Sequence, residues 1–294
     1  MALKRAKSTS ADFVLEDEAA PAQVARETGG RRANDLDGRD WTRFSISVWR
    51  DLRKTSEERA LKHPAMFPSA LVERLILTFT RSDEKVILDP FCGSGSTLVS
   101  AQKMGRTGIG FELSEDYVKL AESRLSQGNL LSSAGDHRIY STDARKMTDH
   151  LKPESVDLVI TSPPYWNILN QKRSADYKEV RNYGNYDGDL GNIASYEDFL
   201  AELEKIWRQV HTVLRKGKYC IVNVMDLRKG PTFIPFHMDI ARSVASCGFI
   251  FDDIIIWDRS GDYNNLRALG YPAVFRVNKV HEFLLIFRKP SGSA

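Results

Sequence analysis

From Val86 the chain reads Val-Ile-Leu-Asp-Pro-Phe-Cys-Gly-Ser-Gly-Ser-Thr97, a short apolar run, an acid, a glycine-rich turn and then the helical stretch Thr97 to Met104. A strand that turns this sharply into a helix belongs to a βα unit, and Gly93 and Gly95 let a ligand approach the backbone closely at the turn. The pattern recurs. Gly108-Ile-Gly-Phe-Glu-Leu113 ends a second run on Glu112, about twenty residues on, where an acid accepts two ribose hydroxyls. A third run, His137 to Thr142, ends at Asp143, positioned near an adenine amino group. No Gly-Lys-Ser/Thr follows the loop, so it is not a Walker loop, and the full spacing of the dinucleotide fingerprint is missing. Helical patterns near Pro68 to Arg81, Thr97 to Met104, Glu115 to Ser126, Tyr196 to Leu214 and Pro235 to Ser246 alternate with these runs. That alternation predicts the α/β class, a mostly parallel sheet covered on both faces. Phe249 to Trp257 and Glu282 to Arg288 have no crossover helix between them, which predicts an antiparallel pair at the sheet edge.

Thr161-Ser-Pro-Pro-Tyr-Trp166 carries the chemistry. The preceding Asp157-Leu-Val-Ile-Thr161 reads as a buried strand, which Pro163 and Pro164 end by removing donors and fixing φ. Ser162 and a backbone carbonyl of the Pro-Pro pair then project from a strand's carboxyl end, where open α/β sheets bind ligands. Two acceptors there can polarise an exocyclic amine whose lone pair is delocalised into a ring, while Tyr165 stacks on the ring face. Taken alone, the tetrapeptide reads equally well as a Ser-Pro-Pro turn with aromatics filling core. The glycine loop upstream decides between the two.

Together these residues resemble the S-adenosylmethionine-dependent DNA amino-methyltransferases, which methylate cytosine N4 or adenine N6. The resemblance runs from about Phe44 to Lys289. Asp89, Pro90, Phe91, Gly93, Gly95 and Thr97 match the family's cofactor loop, Glu112 its ribose acid, and Ser162, Pro163, Pro164 and Tyr165 its catalytic tetrapeptide. Lys62-His-Pro-Ala-Met-Phe-Pro68 is similar to the motif at the methionine end of the cofactor, which brings in His63, Pro64 and Phe67, and Asp143 joins the cofactor set. The resemblance implies a Rossmann-like methyltransferase fold with a seven-stranded sheet, S-adenosylmethionine as cofactor and double-stranded DNA as substrate. A cognate restriction endonuclease is an optional partner. Here the cofactor half precedes the catalytic tetrapeptide, a motif order that resembles a circular permutation and leaves the location of target recognition open. Within the family, Ser at the first tetrapeptide position goes mainly with cytosine N4 and Asp with adenine N6, so cytosine N4 is the expected target and adenine N6 the alternative. A non-catalytic DNA-binding protein on the same scaffold is disfavoured by the intact motifs. RNA or protein-glutamine methylation is disfavoured by Ser162, because those relatives carry Asn there.

Length and composition bound the rest. The 294 residues, 42% hydrophobic, suffice for one large core, read as a single catalytic domain from 41 to 294. Residues 1 to 40 are poor in large apolar side chains and read as a flexible arm. No signal peptide or membrane-length apolar run is present, so a cytoplasmic protein is expected. Cys92, Cys220 and Cys247 show no metal spacing and read as packing residues, and the histidines are scattered, so no metal is expected. A net charge of +3 permits nucleic-acid binding without demonstrating it. Local distribution says more. Residues 167 to 192 interleave Lys172, Arg173, Lys178 and Arg181 with tyrosines and glycines, predicting a loop that touches phosphates and bases; a lid over the cofactor is the competing reading. Residues 259 to 280 carry Arg259, Asn264, Asn265 and Arg267, side chains able to read base edges. Arg228-Lys-Gly-Pro231 reads as an exposed turn, with phosphate contact the competing reading.

Overall fold

Short apolar strands flanked by apolar-striped helices leave one economical arrangement, a sheet sandwiched between two helical layers. The computed structural model describes residues 32–56, 58, 68–128, 136–167, 188–263, 266 and 268–292. Among them the chain runs α1 (Gly38–Phe44), β1 (Val48–Trp49), α2 (Ser69–Phe79), β2 (Val86–Asp89), α3 (Ser96–Lys103), β3 (Thr107–Glu112), α4 (Glu115–Gly128), β4 (Arg138–Ser141) and α5 (Met147–His150). It continues through β5 (Val156–Thr161), α6 (Tyr196–Val213), β6 (Leu214–Val224), β7 (Leu227–Lys229), β8 (Thr232–Ile234), α7 (Phe236–Ser246), β9 (Ile250–Asp258) and β10 (His281–Arg288). Every helix expected from the sequence is present, with ends displaced by only one or two residues.

The large sheet has the order β1-β9-β10-β6-β5-β2-β3-β4. All its neighbours pair in parallel except β10, which is antiparallel to both β6 and β9. This is a Rossmann-like sheet with the antiparallel pair in place. An eighth strand, β1, adds two residues beyond the seven expected and covers the outer edge of β9 through Val48↔Ile256 and Trp49↔Trp257. Two residues carry too weak a pattern to read as a strand.

Alternation along the central strands builds two cores. Leu88, Val159, Val222, Leu285 and Phe287 turn to one face, under the buried stripe Phe199, Leu203, Ile206, Trp207 and Val210 of α6. Ile87, Leu158, Ile160, Ile221, Leu284 and Ile286 turn to the other, against Leu71, Val72, Leu75 and Ile76 of α2. Ser195 caps α6, its Oγ accepting the Asp198 N–H at 3.1 Å. Packing reaches back before residue 41. Leu36 and Asn34 are buried, and the Asn34 amide donates to the Thr78 carbonyl at the end of α2, 2.8 Å away. No helix among the described residues is long and apolar enough to cross a membrane.

Candidate functional site

From β2 the chain moves outward through β3 and β4, then returns to place β5 on the other side of β2. The carboxyl ends of β2 and β5 therefore flank the point where strand order reverses, and the crevice there is the natural ligand site. The glycine loop leaves one of these strands and Ser162 the other. A cavity opens between them, lined by Asp89, Pro90, Phe91, Gly93, Thr97, Glu112, Asp143, Ser162, Pro163, Pro164 and Tyr165. The fold thus assembles eleven residues that the sequence scatters over seventy-seven positions, 89 to 165.

Asp89 joins the two halves. Its buried carboxylate accepts the Thr161 hydroxyl at 2.7 Å and the Phe91 N–H at 3.1 Å on Oδ1, and the Thr97 hydroxyl at 2.6 Å on Oδ2. Burial pushes its pKa up to about 6, and the hydroxyl bonds from Thr161 and Thr97 oppose that rise. Thr161 immediately precedes Ser162, so this carboxylate sets the Ser-Pro-Pro-Tyr turn in register with the glycine loop. Both of its oxygens face inward onto protein donors. Asp89 lines the cavity but works chiefly as its keystone.

Glu112 ends β3 in the complementary way. Oε2 accepts the Gly93 N–H and Oε1 the Ser114 N–H, each at 2.9 Å, so the carboxylate bridges two loops at the cavity wall. Burial raises its pKa, partly offset by N–H donors from Ser114, Gly93 and Leu113. Arg124 of α4 clamps the loop from behind, donating to the Ser94 carbonyl, to Ser94 Oγ at 3.2 Å and to Ser96 Oγ at 3.1 Å. Gly95 departs from its expected part. It does not line the cavity; it caps α3 at φ +75°, and a Cβ there would lie 2.8 Å from Cβ of Ala121 on α4. Helix packing and left-handed backbone each require glycine here. Cys92 is a packing residue whose thiol burial holds well above its ordinary pKa, and a Cβ on Gly110 would lie 2.6 Å from its Sγ.

Two other expected residues are more committed than the sequence suggested. Asp143 lines the cavity, yet its Oδ1 accepts the Arg145 N–H at 2.8 Å and its Oδ2 accepts Arg145 Nε at 2.9 Å. Arg145 also pairs with Glu202 and donates to the Gly188 carbonyl at 3.1 Å. Arg259 is not a free reader of base edges. Its guanidinium pairs with Glu282 and Asp262 and lies over Trp257, 4.9 Å from the ring centroid, locking the end of β9 to the start of β10. Isolated in sequence it looks available, because its partner stands twenty-three positions away. His63, Pro64, Phe67, Lys172, Arg173, Lys178, Arg181, Asn264, Asn265 and Arg267 lie outside the described residues.

Trp166, directly after the tetrapeptide, has φ +48°, a left-handed backbone that costs a bulky residue on the order of 1–3 kcal/mol. Its buried ring is held by Nε1 donating to the Ile193 carbonyl at 2.9 Å and by Lys229 Nζ, 3.7 Å from the ring centroid. This reversal brings Tyr165 against Phe236 of α7 at 5.9 Å between centroids. The cavity also recruits Ser114, Thr142, Gly188, Asp189, Leu190 and Ile206, which the sequence did not single out. Asp189 carries a local signal, an Asx turn in which its Oδ1 accepts the Gly191 N–H at 2.8 Å. Ser114 carries another, its Oγ accepting the Tyr117 N–H at 3.4 Å at the start of α4.

A parallel sheet with one antiparallel insertion, a glycine loop after its first central strand and a Ser-Pro-Pro-Tyr turn at the switch point define the methyltransferase class of α/β proteins. The N6/N4 DNA methylase family model matches residues 14–123 and 156–293, and the chain belongs to that family. It is 51% identical over 73 residues to the Type II methyltransferase M.ScaI of Streptomyces caespitosus, covering 25% of this chain and 23% of that protein. It is 31% identical over 165 residues to the Type II methyltransferase M.MthZI of Methanothermobacter thermautotrophicus, covering 52% and 44%. The chain therefore spans less than half the length of these relatives. A DNA modification methylase of Thermus thermophilus, solved in complex with S-adenosyl-L-methionine, shares 30% identity over 52% of this chain and 55% of its own, with a TM-score of 0.37.

Proposed function

We propose that this protein transfers a methyl group from S-adenosylmethionine to the N4 amine of a cytosine flipped out of duplex DNA. The observation that carries the reading is the convergence of Ser162–Tyr165 with the glycine loop and Glu112 in one cavity, coupled through the Asp89–Thr161 bond. The residues fit the cofactor. Glu112 accepts backbone N–H groups of Gly93, Ser114 and Leu113, which leaves acceptor capacity on its two oxygens for a ribose hydroxyl, and Phe111, Leu113 and Ile206 offer an apolar wall for an adenine ring. When bound, S-adenosylmethionine supplies the electrophilic methyl group.

The protein's own part is orientation and polarisation. Ser162 Oγ and a carbonyl of the Pro163-Pro164 pair accept the two amine hydrogens, drawing the nitrogen toward tetrahedral geometry and freeing its lone pair. Tyr165, backed by Phe236, stacks on the base. A hydroxyl at position 162 can also donate to a neighbouring ring acceptor, which suits cytosine; an ionised carboxylate there could only accept. Asp143, held by Arg145, stands at the adenine end of the cofactor site.

The test is to incubate the purified protein with duplex DNA and S-adenosylmethionine, digest the DNA to nucleosides and identify the modified base by mass spectrometry. N4-methylcytosine is expected. N6-methyladenine would move the target to adenine within the same family, and no methylated nucleoside with a bound cofactor would overturn the catalytic reading.

A further inference from the structure

The hairpin β7–β8 follows β6, the strand beside β5, and it ends in cations that the catalytic cavity does not use. Arg228 and Lys279 meet on one exposed ring. The guanidinium carbon of Arg228 lies 5.8 Å from the Phe233 centroid, and Nζ of Lys279, delivered by the segment before β10, lies 4.4 Å from it. Lys229, next to Arg228 in the hairpin, reaches the other way, over Trp166 and to Asn167 Oδ1 at 3.3 Å. Trp166 is the next residue after Tyr165, so Lys229 ties the hairpin to the turn that carries the proposed base-stacking ring.

Among the described residues none of the three cations is ion-paired with a carboxylate. Arg228 donates only to the Pro231 carbonyl, three residues away. Asp226, whose charge acts on Lys279, is bonded to His237 Nδ1 at 2.6 Å. Two cations on one aromatic repel each other; burial depresses the Lys279 pKa, the Asp226 charge opposes that, and the Arg228 charge adds to it. An anion held between them would relieve that repulsion. The surroundings are apolar as well as basic. Phe233 is 47% exposed, and the segment that delivers Lys279 leaves Tyr271 81% and Phe275 93% exposed, far more aromatic surface than a solvated turn requires. Cations beside exposed rings are the composition of a nucleic-acid surface, phosphate to the charges and sugar or base to the rings.

We propose that the β7–β8 hairpin and Lys279 form a phosphate clamp on duplex DNA next to the flipped base, with Arg228 and Lys279 on the backbone and Phe233 beneath the sugar. This rests on the DNA reading above and adds a contact surface to it. Because the contacts are to backbone, they position the duplex without selecting sequence.

The test compares wild type with the Arg228→Gln/Lys279→Gln double variant, titrating a short labelled duplex at a series of salt concentrations. Lys229 is left intact because it supports Trp166. The log–log salt slope of the double variant should be shallower by about 1.8, the sum of two lost contacts, with weaker binding to every duplex alike. Restoring charge with Arg228→Lys/Lys279→Arg should restore the slope. Calorimetric titration with S-adenosylmethionine, expected to match wild type, reports an intact cavity. If the double variant loses that titration, the single variant Arg228→Gln decides, with an expected change of about 0.9. Wild-type salt slope and affinity in a variant that still binds cofactor would overturn the clamp and leave the DNA reading standing. A wild-type protein that titrates cofactor but binds no duplex would overturn both. Tighter charge-dependent binding to single-stranded RNA or to anionic vesicles than to duplex would assign the surface to that partner instead.

Discussion

The inner wall of the cavity and the hairpin face beside it handle polar groups in opposite ways. At the wall, Asp89 and Glu112 spend their oxygens on hydroxyls and N–H groups of the protein itself, and Arg124 fixes the glycine loop from behind. At the hairpin, Arg228 and Lys279 have no carboxylate partner among the described residues and the rings around them stand exposed. A closed network holds reacting groups in place before a ligand arrives, as transition-state stabilisation by fixed dipoles demands. Unmatched charge and exposed ring surface are a standing cost that only a partner removes. The first pattern suits chemistry and the second recognition.

The sharpest way to break this contrast is at Gly95, where the wall depends on helix packing. Gly95→Val combines left-handed strain with a clash against Ala121 and should cost roughly 2–5 kcal/mol in denaturant unfolding. A variant as stable as wild type that nevertheless fails to bind S-adenosylmethionine would return Gly95 to ligand contact. Next in size, Asp89 should make the wall sensitive to pH. Its folded pKa of about 6 lies above the usual 3.8, so the proton favours the folded state and this contribution is lost as pH rises through that window. Relative to wild type, Asp89→Asn should gain about 3 kcal/mol of stability between roughly pH 4 and pH 7. Parallel stability curves for the two proteins would mean that Asp89 titrates normally.

Ser162→Ala tests whether the wall is preorganised for chemistry rather than binding. Single-turnover methyl transfer should slow on the order of 10²-fold, about 2.7 kcal/mol, with cofactor and DNA affinity nearly unchanged. An unaltered transfer rate would remove Ser162 from the mechanism. Tyr165 should show the smallest effect, since it meets the base by its face alone. Tyr165→Ala should weaken binding of the flipped base by about 1–3 kcal/mol and Tyr165→Phe by much less. The reverse ranking, measured on a duplex carrying a mismatched target base, would make the phenol hydroxyl the working group.

Much of this was legible because the informative signals are local. A buried parallel strand must be apolar, a strand-to-helix turn beside a ligand needs glycine, and Pro-Pro must end a strand, so Val86–Thr97, Gly108–Glu112 and Asp157–Tyr165 declare themselves within a few residues each. Short elements such as β1, β7 and β8 hold too few residues for a period to emerge, and they exist through their partners.

The sequence by itself determined the α/β class, the order of the helices and eleven of the residues that line the switch-point cavity, because each rests on backbone geometry that neighbours in the chain impose. Tertiary structure alone decided which polar groups are free. It tied Arg259 to Glu282, turned Gly95 toward Ala121, closed Asp89 onto Thr161 and left Arg228 and Lys279 together on Phe233. Whether a charge is available to a ligand depends on what the fold brings within about 3 Å of it, and those partners come from strands and helices far along the chain.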